Sequence, residues 1–136
     1  MLPSAELLDN PTAKAERALL KRLEVINRFV QEQNGECSVV EALAFELRIN
    51  PQIILQERQQ IGVGYGQYAA LRGVSRLGRG SIKRIIDDYQ RGRSWSEIAS
   101  NNGSQLSELM SWIDDVVRTT NQMGRQPRNQ EFSGHR

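Results

Sequence analysis

Few side chains in this sequence can do chemistry, and their spacing limits what that chemistry could be. Two adjacent acidic pairs, Asp87-Asp88 and Asp114-Asp115, are the candidates for shared-proton or metal chemistry. Neighbours on a helix point about 100° apart, so neither pair forms a two-carboxylate site alone. One member of each would have to converge across helices, and salt bridging to arginine is the reading the residues favour. The one cysteine, Cys37, rules out an internal disulfide and every multi-cysteine zinc site. It falls at a helix start, where a helix dipole can lower a thiol pKa, but a small half-buried residue is the expected role. The one histidine, His135, is next to last. Ser-His-Asp and Cys-His catalysis and two-histidine metal sites are therefore excluded within one chain. Gly62-x-Gly64-x-Gly66 has the wrong spacing for a dinucleotide-binding fingerprint, and no strand precedes it. We therefore expect no catalytic residue, no cofactor and no metal, and do not expect an enzyme.

Anion binding is the chemistry left. Residues 72–93 carry seven bases, Arg72, Arg76, Arg79, Lys83, Arg84, Arg91 and Arg93, against Asp87 and Asp88. The segments on either side are each slightly acidic, so a formal charge of only +2 hides a concentrated basic stretch. Fifteen of the eighteen bases are arginine, which suits bidentate contact with carboxylate or phosphate. The alternative is an ordinary solvated face.

The elements that position these residues all read as helix. At 136 residues the chain has the size of one domain, and with aromatics at 6% its core must be aliphatic. No apolar run approaches a membrane span, and Met1–Glu6 lacks the segments of a signal peptide. The cytoplasm is the default expectation, or secretion if a signal precedes Met1 in the native gene. Asn10-Pro11 starts a helix whose stripe of Ala15, Leu19, Leu23, Ile26 and Val30, with Leu20 and Phe29, runs to about Gln33 before Asn34-Gly35. Ser38-Val39-Val40-Glu41 reads as a capping box opening a short helix to Leu47, and Asn50-Pro51 starts another that ends at Gly62. A fourth helix begins at Tyr65 and ends at Gly78-Arg79-Gly80. Ser81 caps a fifth carrying Ile82, Ile85, Ile86 and Tyr89. Ser94-Trp95-Ser96-Glu97 is a further capping box leading to Gly103. The last helix presents Leu106, Leu109, Met110, Ile113, Val116 and Val117. Residues 1–10 read as a frayed start and 121–136, without periodicity, as a disordered tail.

Self-comparison aligns residues 54–69 with 85–99. In each copy an apolar helix ends at glycine (Gly62, Gly92), and a small capping residue follows (Gly64, Ser94). Next come an aromatic (Tyr65, Trp95) and, four residues on, an alanine (Ala69, Ala99). The glycine suits a left-handed turn, the aromatic a wedge between helices and the alanine a close approach. On Gly62, Gly64, Tyr65, Gly66 and Ala69, then Gly92, Trp95, Ile98 and Ala99, the chain resembles a group of small, uncharacterised bacterial helical proteins. Those carry G-x-G-Y-G-x-x-A and G-x-x-W-x-x-I-A segments about thirty residues apart. Ser96 stands where that pattern has glycine. The resemblance spans roughly residues 38–103 and implies an all-helical fold, with no activity attached.

Two stretches also resemble a helix-turn-helix. Residues 43–54 have the alanine (Ala44) and the cap (Asn50), but Arg48 holds the turn position, where a positive φ is awkward for arginine. Residues 98–109 have Ala99, Gly103 and Leu109, but Asn102 and Ser104 stand where apolar residues would pack, and Asp114 and Asp115 follow. Only the first is permissive for DNA, with Gln52, Gln56 and Arg58 facing bases and Arg72, Arg76, Arg79, Lys83 and Arg84 on phosphates.

The sequence thus predicts an all-α bundle of about seven short helices, a single domain over residues 11–120 built from repeated helical hairpins. The expected role is a non-enzymatic macromolecular interaction module that meets a protein partner through residues 72–93. A helix-turn-helix-like DNA-binding protein using residues 42–60 is the alternative. A homodimer through helix 11–33 is a further arrangement, and membrane insertion is not expected.

Overall fold

A computed structural model describes residues 10–125. Residues 1–9 of the expected frayed start (1–10) and 126–136 of the expected tail (121–136), with His135, lie outside the described residues. Among those described, the chain is all-α, with seven helices and no strand: α1 (Pro11–Phe29), α2 (Gly35–Leu47), α3 (Pro51–Ile61), α4 (Tyr65–Leu77), α5 (Ile82–Gln90), α6 (Trp95–Asn101) and α7 (Leu106–Arg125).

Local chemistry sets most helix starts. Asn10 Oδ1 accepts from the backbone N–H of Thr12 at 2.8 Å, and Asn50 Oδ1 from that of Gln52 at 2.7 Å, each followed by proline in the first turn. Ser81 Oγ accepts from the N–H of Arg84, and Ser94 and Glu97 form a reciprocal capping box.

The α1–α2 joint departs from the sequence reading. Helix α1 stops at Phe29, four residues before the expected end, and α2 begins at Gly35. Residue 35 packs directly on the end of α1: a Cβ there would fall 1.8 Å from the Phe29 carbonyl oxygen. Only glycine permits that approach, and Asn34 enters it with a left-handed φ of 62°. Ser38, expected as a cap, is buried inside α2 and donates its hydroxyl to the Asn34 carbonyl at 3.1 Å. At the other end, α7 continues past Thr120 to Arg125, so residues 121–125 are helix rather than tail. Gly124 sits beside the Phe29 ring and Ser38 Oγ.

Helix α4 lies at the centre, packed against α1, α7, α5 and α2. Tyr65, Gly66, Tyr68, Ala69, Ala70, Leu71, Gly73 and Val74 are all buried on it. Its small residues set the spacing. A Cβ at residue 66 would lie 2.3 Å from the Leu23 carbonyl oxygen of α1, and one at residue 73 would lie 2.3 Å from Trp112 Cδ1 of α7. Trp112 fills the groove that Gly73 opens and donates its indole N–H to the Ala69 carbonyl at 2.9 Å. Helix α7 also packs on α2, α1 and α6, and Leu109, Ile113 and Val116 supply its fully buried face. Leu20, read as flanking the α1 stripe, is 44% exposed, since Leu19, Leu23 and Ile26 alone fill the α1 seam.

Candidate interaction surface

The aligned corners 62–69 and 92–99 share a backbone turn. Gly62 and Gly92 have φ of 80° and 82°, Tyr65 and Trp95 are buried behind them, and Ala69 and Ala99 have no exposed surface. Both helices that follow are capped from α1. Asn27 Oδ1 accepts from the N–H of Gly66 at 2.8 Å, while Glu16 accepts from those of Trp95 at 2.6 Å and Ser96 at 3.1 Å. Gly64 has no side chain to cap with, and Asn27 does that work from another helix. Nothing local in the sequence marks Asn27 or Glu16 for this.

Two of the expected contact residues are spent inside the fold. Arg72 makes a two-pronged ion pair with Glu57 of α3, Nε to Oε1 at 2.8 Å and Nη2 to Oε2 at 2.7 Å, and Tyr68 donates its hydroxyl to the same Oε1 at 2.7 Å. Burial alone would lower the Arg72 pKa, but the bonds to Tyr68 and Glu57 outweigh it and hold the group further above its ordinary value. The expectation that Arg72 faces a phosphate is therefore corrected. Arg58, expected to face bases, instead lies over the Tyr65 ring at 4.4 Å and donates to the Val63 carbonyl at 2.8 Å. Tyr65 donates to Glu36 Oε2 at 2.7 Å. Burial first, then that bond to a carboxylate, pushes its hydroxyl up to about 12. Gln52 and Gln56 are exposed on α3, but no cation accompanies them on that helix's outer side.

The other six cations reach solvent. Arg76, Arg79, Lys83, Arg84, Arg91 and Arg93 are exposed, and among the described residues none forms an ion pair with another. Arg76 leans on Trp112, its guanidinium carbon 5.8 Å from the ring centre. Ile85 turns the inner side of α5 into the core, and Ile82, Ile86 and Tyr89 are half-buried around it. Tyr89 meets Trp95 with ring centres 5.3 Å apart.

The base of this surface is fixed by Asn102, a residue the sequence reading marked as weakening its turn. It is buried, its Nδ2 donates to the Ile98 carbonyl at 2.7 Å and to Asp88 Oδ2 at 3.3 Å, and its carbonyl accepts from the N–H of Arg79 at 2.7 Å. A Cβ on residue 78 or 80 would lie 1.9 Å from an Asn102 oxygen. Gly78-Arg79-Gly80 is thus a close-approach clasp around Asn102 and not merely a helix stop.

The acidic pairs are dispersed. Asp114 pairs with Arg22 at 2.7 Å, Asp115 with Arg118, and Asp88 with Asn102. Among the described residues no group of three or more His, Cys, Asp or Glu is arranged to hold a metal, and no helix is long and apolar enough to cross a membrane. Comparison of the chain with family models, with curated proteins and with solved structures finds no match.

Proposed function

We propose that the protein is a non-catalytic helical interaction module whose exposed cations, Arg76, Arg79, Lys83, Arg84, Arg91 and Arg93, hold an acidic protein partner. The observation that carries this reading is their shared situation. All six are exposed; Arg79, Lys83, Arg84, Arg91 and Arg93 lie within one loop-helix-loop segment that Asn102 and the Ile85 side of α5 fix to the core, and Arg76 lies on the adjoining last turn of α4. A preset array of arginines loses less freedom on meeting carboxylates than a mobile one would. Leu77, 37% exposed at the end of α4, offers apolar surface next to Arg76. The acidic pairs support the non-catalytic part, because Asp114, Asp115 and Asp88 already serve links within the fold. We further read residues 54–69 and 85–99 as two copies of one hairpin unit, as the resemblance to the small bacterial helical proteins implies. Their matching left-handed turns support that reading.

A second reading, a helix-turn-helix-like DNA-binding protein using residues 42–60, draws support from the turn at Arg48, whose φ is 58°, and from the exposed Gln52 and Gln56. It loses Arg58 and Arg72 to internal contacts.

Fluorescence anisotropy with a labelled glutamate-rich peptide and with labelled duplex DNA separates the two. On the first reading the peptide binds at low salt, weakens as salt rises and weakens about tenfold or more in Lys83→Glu/Arg84→Glu. On the second, duplex DNA binds and Gln52→Ala/Gln56→Ala weakens it. Binding to neither ligand at low salt ends both.

A further inference from the structure

A cleft of about 340 Å³ opens between α2 and α3, lined by Glu36, Cys37, Val40, Glu41, Pro51 and Leu55. Its floor of Val40, Pro51 and Leu55 is apolar, two carboxylates stand at its edge, and among the described residues no lysine or arginine lines it. Glu36 is held in place by the hydroxyl of the buried Tyr65 at 2.7 Å, and Cys37 Sγ donates to Glu41 Oε2 at 3.5 Å. An apolar floor with an acidic edge suits a lysine or arginine side chain, whose methylenes pack below while the cationic head meets the carboxylates.

The placement of the cleft decides who can supply that side chain. Tyr65, which anchors Glu36, is the first residue of α4, and Arg79 follows the last turn of that helix. Thirteen helical residues separate these ends by about 20 Å, further than an arginine side chain reaches. Arg79 therefore stands out of reach of the cleft of its own molecule, and neither Lys83 nor Arg84 lines it. We infer that the α2–α3 cleft receives a basic side chain from the Arg79–Arg84 end of a second copy, so that copies join head to tail. This names the acidic partner of the cationic face and so rests on the reading above. Such a contact uses two different surfaces, leaves each end of the assembly open, and extends into chains instead of stopping at a dimer.

Sedimentation velocity over a protein concentration series tests this. The expected result is a mean mass that climbs with concentration at low salt, does not plateau at a dimer, and falls back to monomer at high salt. Glu36→Gln/Glu41→Gln keeps an oxygen to accept the Tyr65 hydroxyl and should weaken association about tenfold or more, as should Lys83→Glu/Arg84→Glu. Glu36→Lys/Glu41→Lys mixed with Lys83→Glu/Arg84→Glu should recover association that neither shows alone, with circular dichroism checking that each variant is folded. A wild-type protein that stays monomeric at low salt, or association unmoved by Glu36→Gln/Glu41→Gln, overturns the inference. So does a plateau at dimer. The glutamate-rich peptide, titrated into the same samples, keeps the two claims apart. Peptide binding that is lost in Lys83→Glu/Arg84→Glu while wild type stays monomeric removes only the second copy as partner. Peptide binding unmoved by that variant removes the cationic-face reading as well.

Discussion

Glu57 answers two donors at once, the Arg72 guanidinium and the Tyr68 hydroxyl, and the Glu57 and Arg72 side chains are each only about a fifth exposed. Removing one member strands the other in a half-buried place. Arg72→Met is therefore expected to lower unfolding stability by about 2–3 kcal/mol, below the full cost of a dry pair because some solvent reaches it. Urea denaturation reads this directly, and a loss under about 0.5 kcal/mol would mean the pair is only decorative. The neighbouring tyrosine gives a pH signature. Tyr65 ionises near 10 when unfolded and is pushed up to about 12 in the fold, so above pH 10 the unfolded chain releases a proton that the folded one keeps. Its contribution is intact below pH 10 and disappears as pH climbs to about 12. Tyr68, raised by burial and by Glu57, acts in the same direction. The denaturation midpoint should fall across that window, and Tyr65→Phe should shallow the fall. An unchanged slope in that variant would contradict the assignment. Neither cluster could be read from spacing, because Glu57 lies 15 residues from Arg72 and Glu36 lies 29 from Tyr65.

Between elements, the glycines separate into two kinds that look alike in sequence. Gly62 has a φ of 80° and open space around it, so Gly62→Ala carries only the left-handed backbone penalty, about 1 kcal/mol. Gly66 is an ordinary helical residue pressed on the Leu23 backbone, which cannot step aside. Gly66→Ala should push α4 off α1 and cost about 2–3 kcal/mol, more than twice the Gly62 change. Thermal or urea unfolding of the two variants gives the order, and the reverse order would refute this account of the α1–α4 crossing. The sequence presents Gly62, Gly64 and Gly66 as one series of breaks. In the fold the first is a turn, the second precedes a helix capped from outside, and the third is a contact. Gly35 and Gly80 follow the same logic, and it is why the α1–α2 joint moved and why Asn102 holds a loop instead of loosening one.

Over the whole molecule, the buried seam and the exposed charge are carried by different residues, so they can be changed separately. Lys83→Glu/Arg84→Glu alters two exposed side chains outside every ion pair among the described residues. It should shift stability by no more than about 0.5 kcal/mol per site while weakening salt-sensitive binding of an acidic ligand about tenfold or more. A marked loss of stability would show that these cations hold the fold. The all-helical architecture was legible beforehand because stripes such as Leu19, Leu23 and Ile26, and caps such as Asn10, Asn50, Ser81 and Ser94, act over one or two turns. The same local rules concentrated seven bases in residues 72–93. Which of them face solvent was settled only by packing, since Arg72 meets a carboxylate on another helix and Arg76 leans on the distant Trp112. Trp112 itself escaped notice, because its groove exists only where Gly73 of α4 crosses α7. Short-range periodicity is written along one chain segment, but a partner's identity depends on where the chain returns, and that is fixed when the whole core closes.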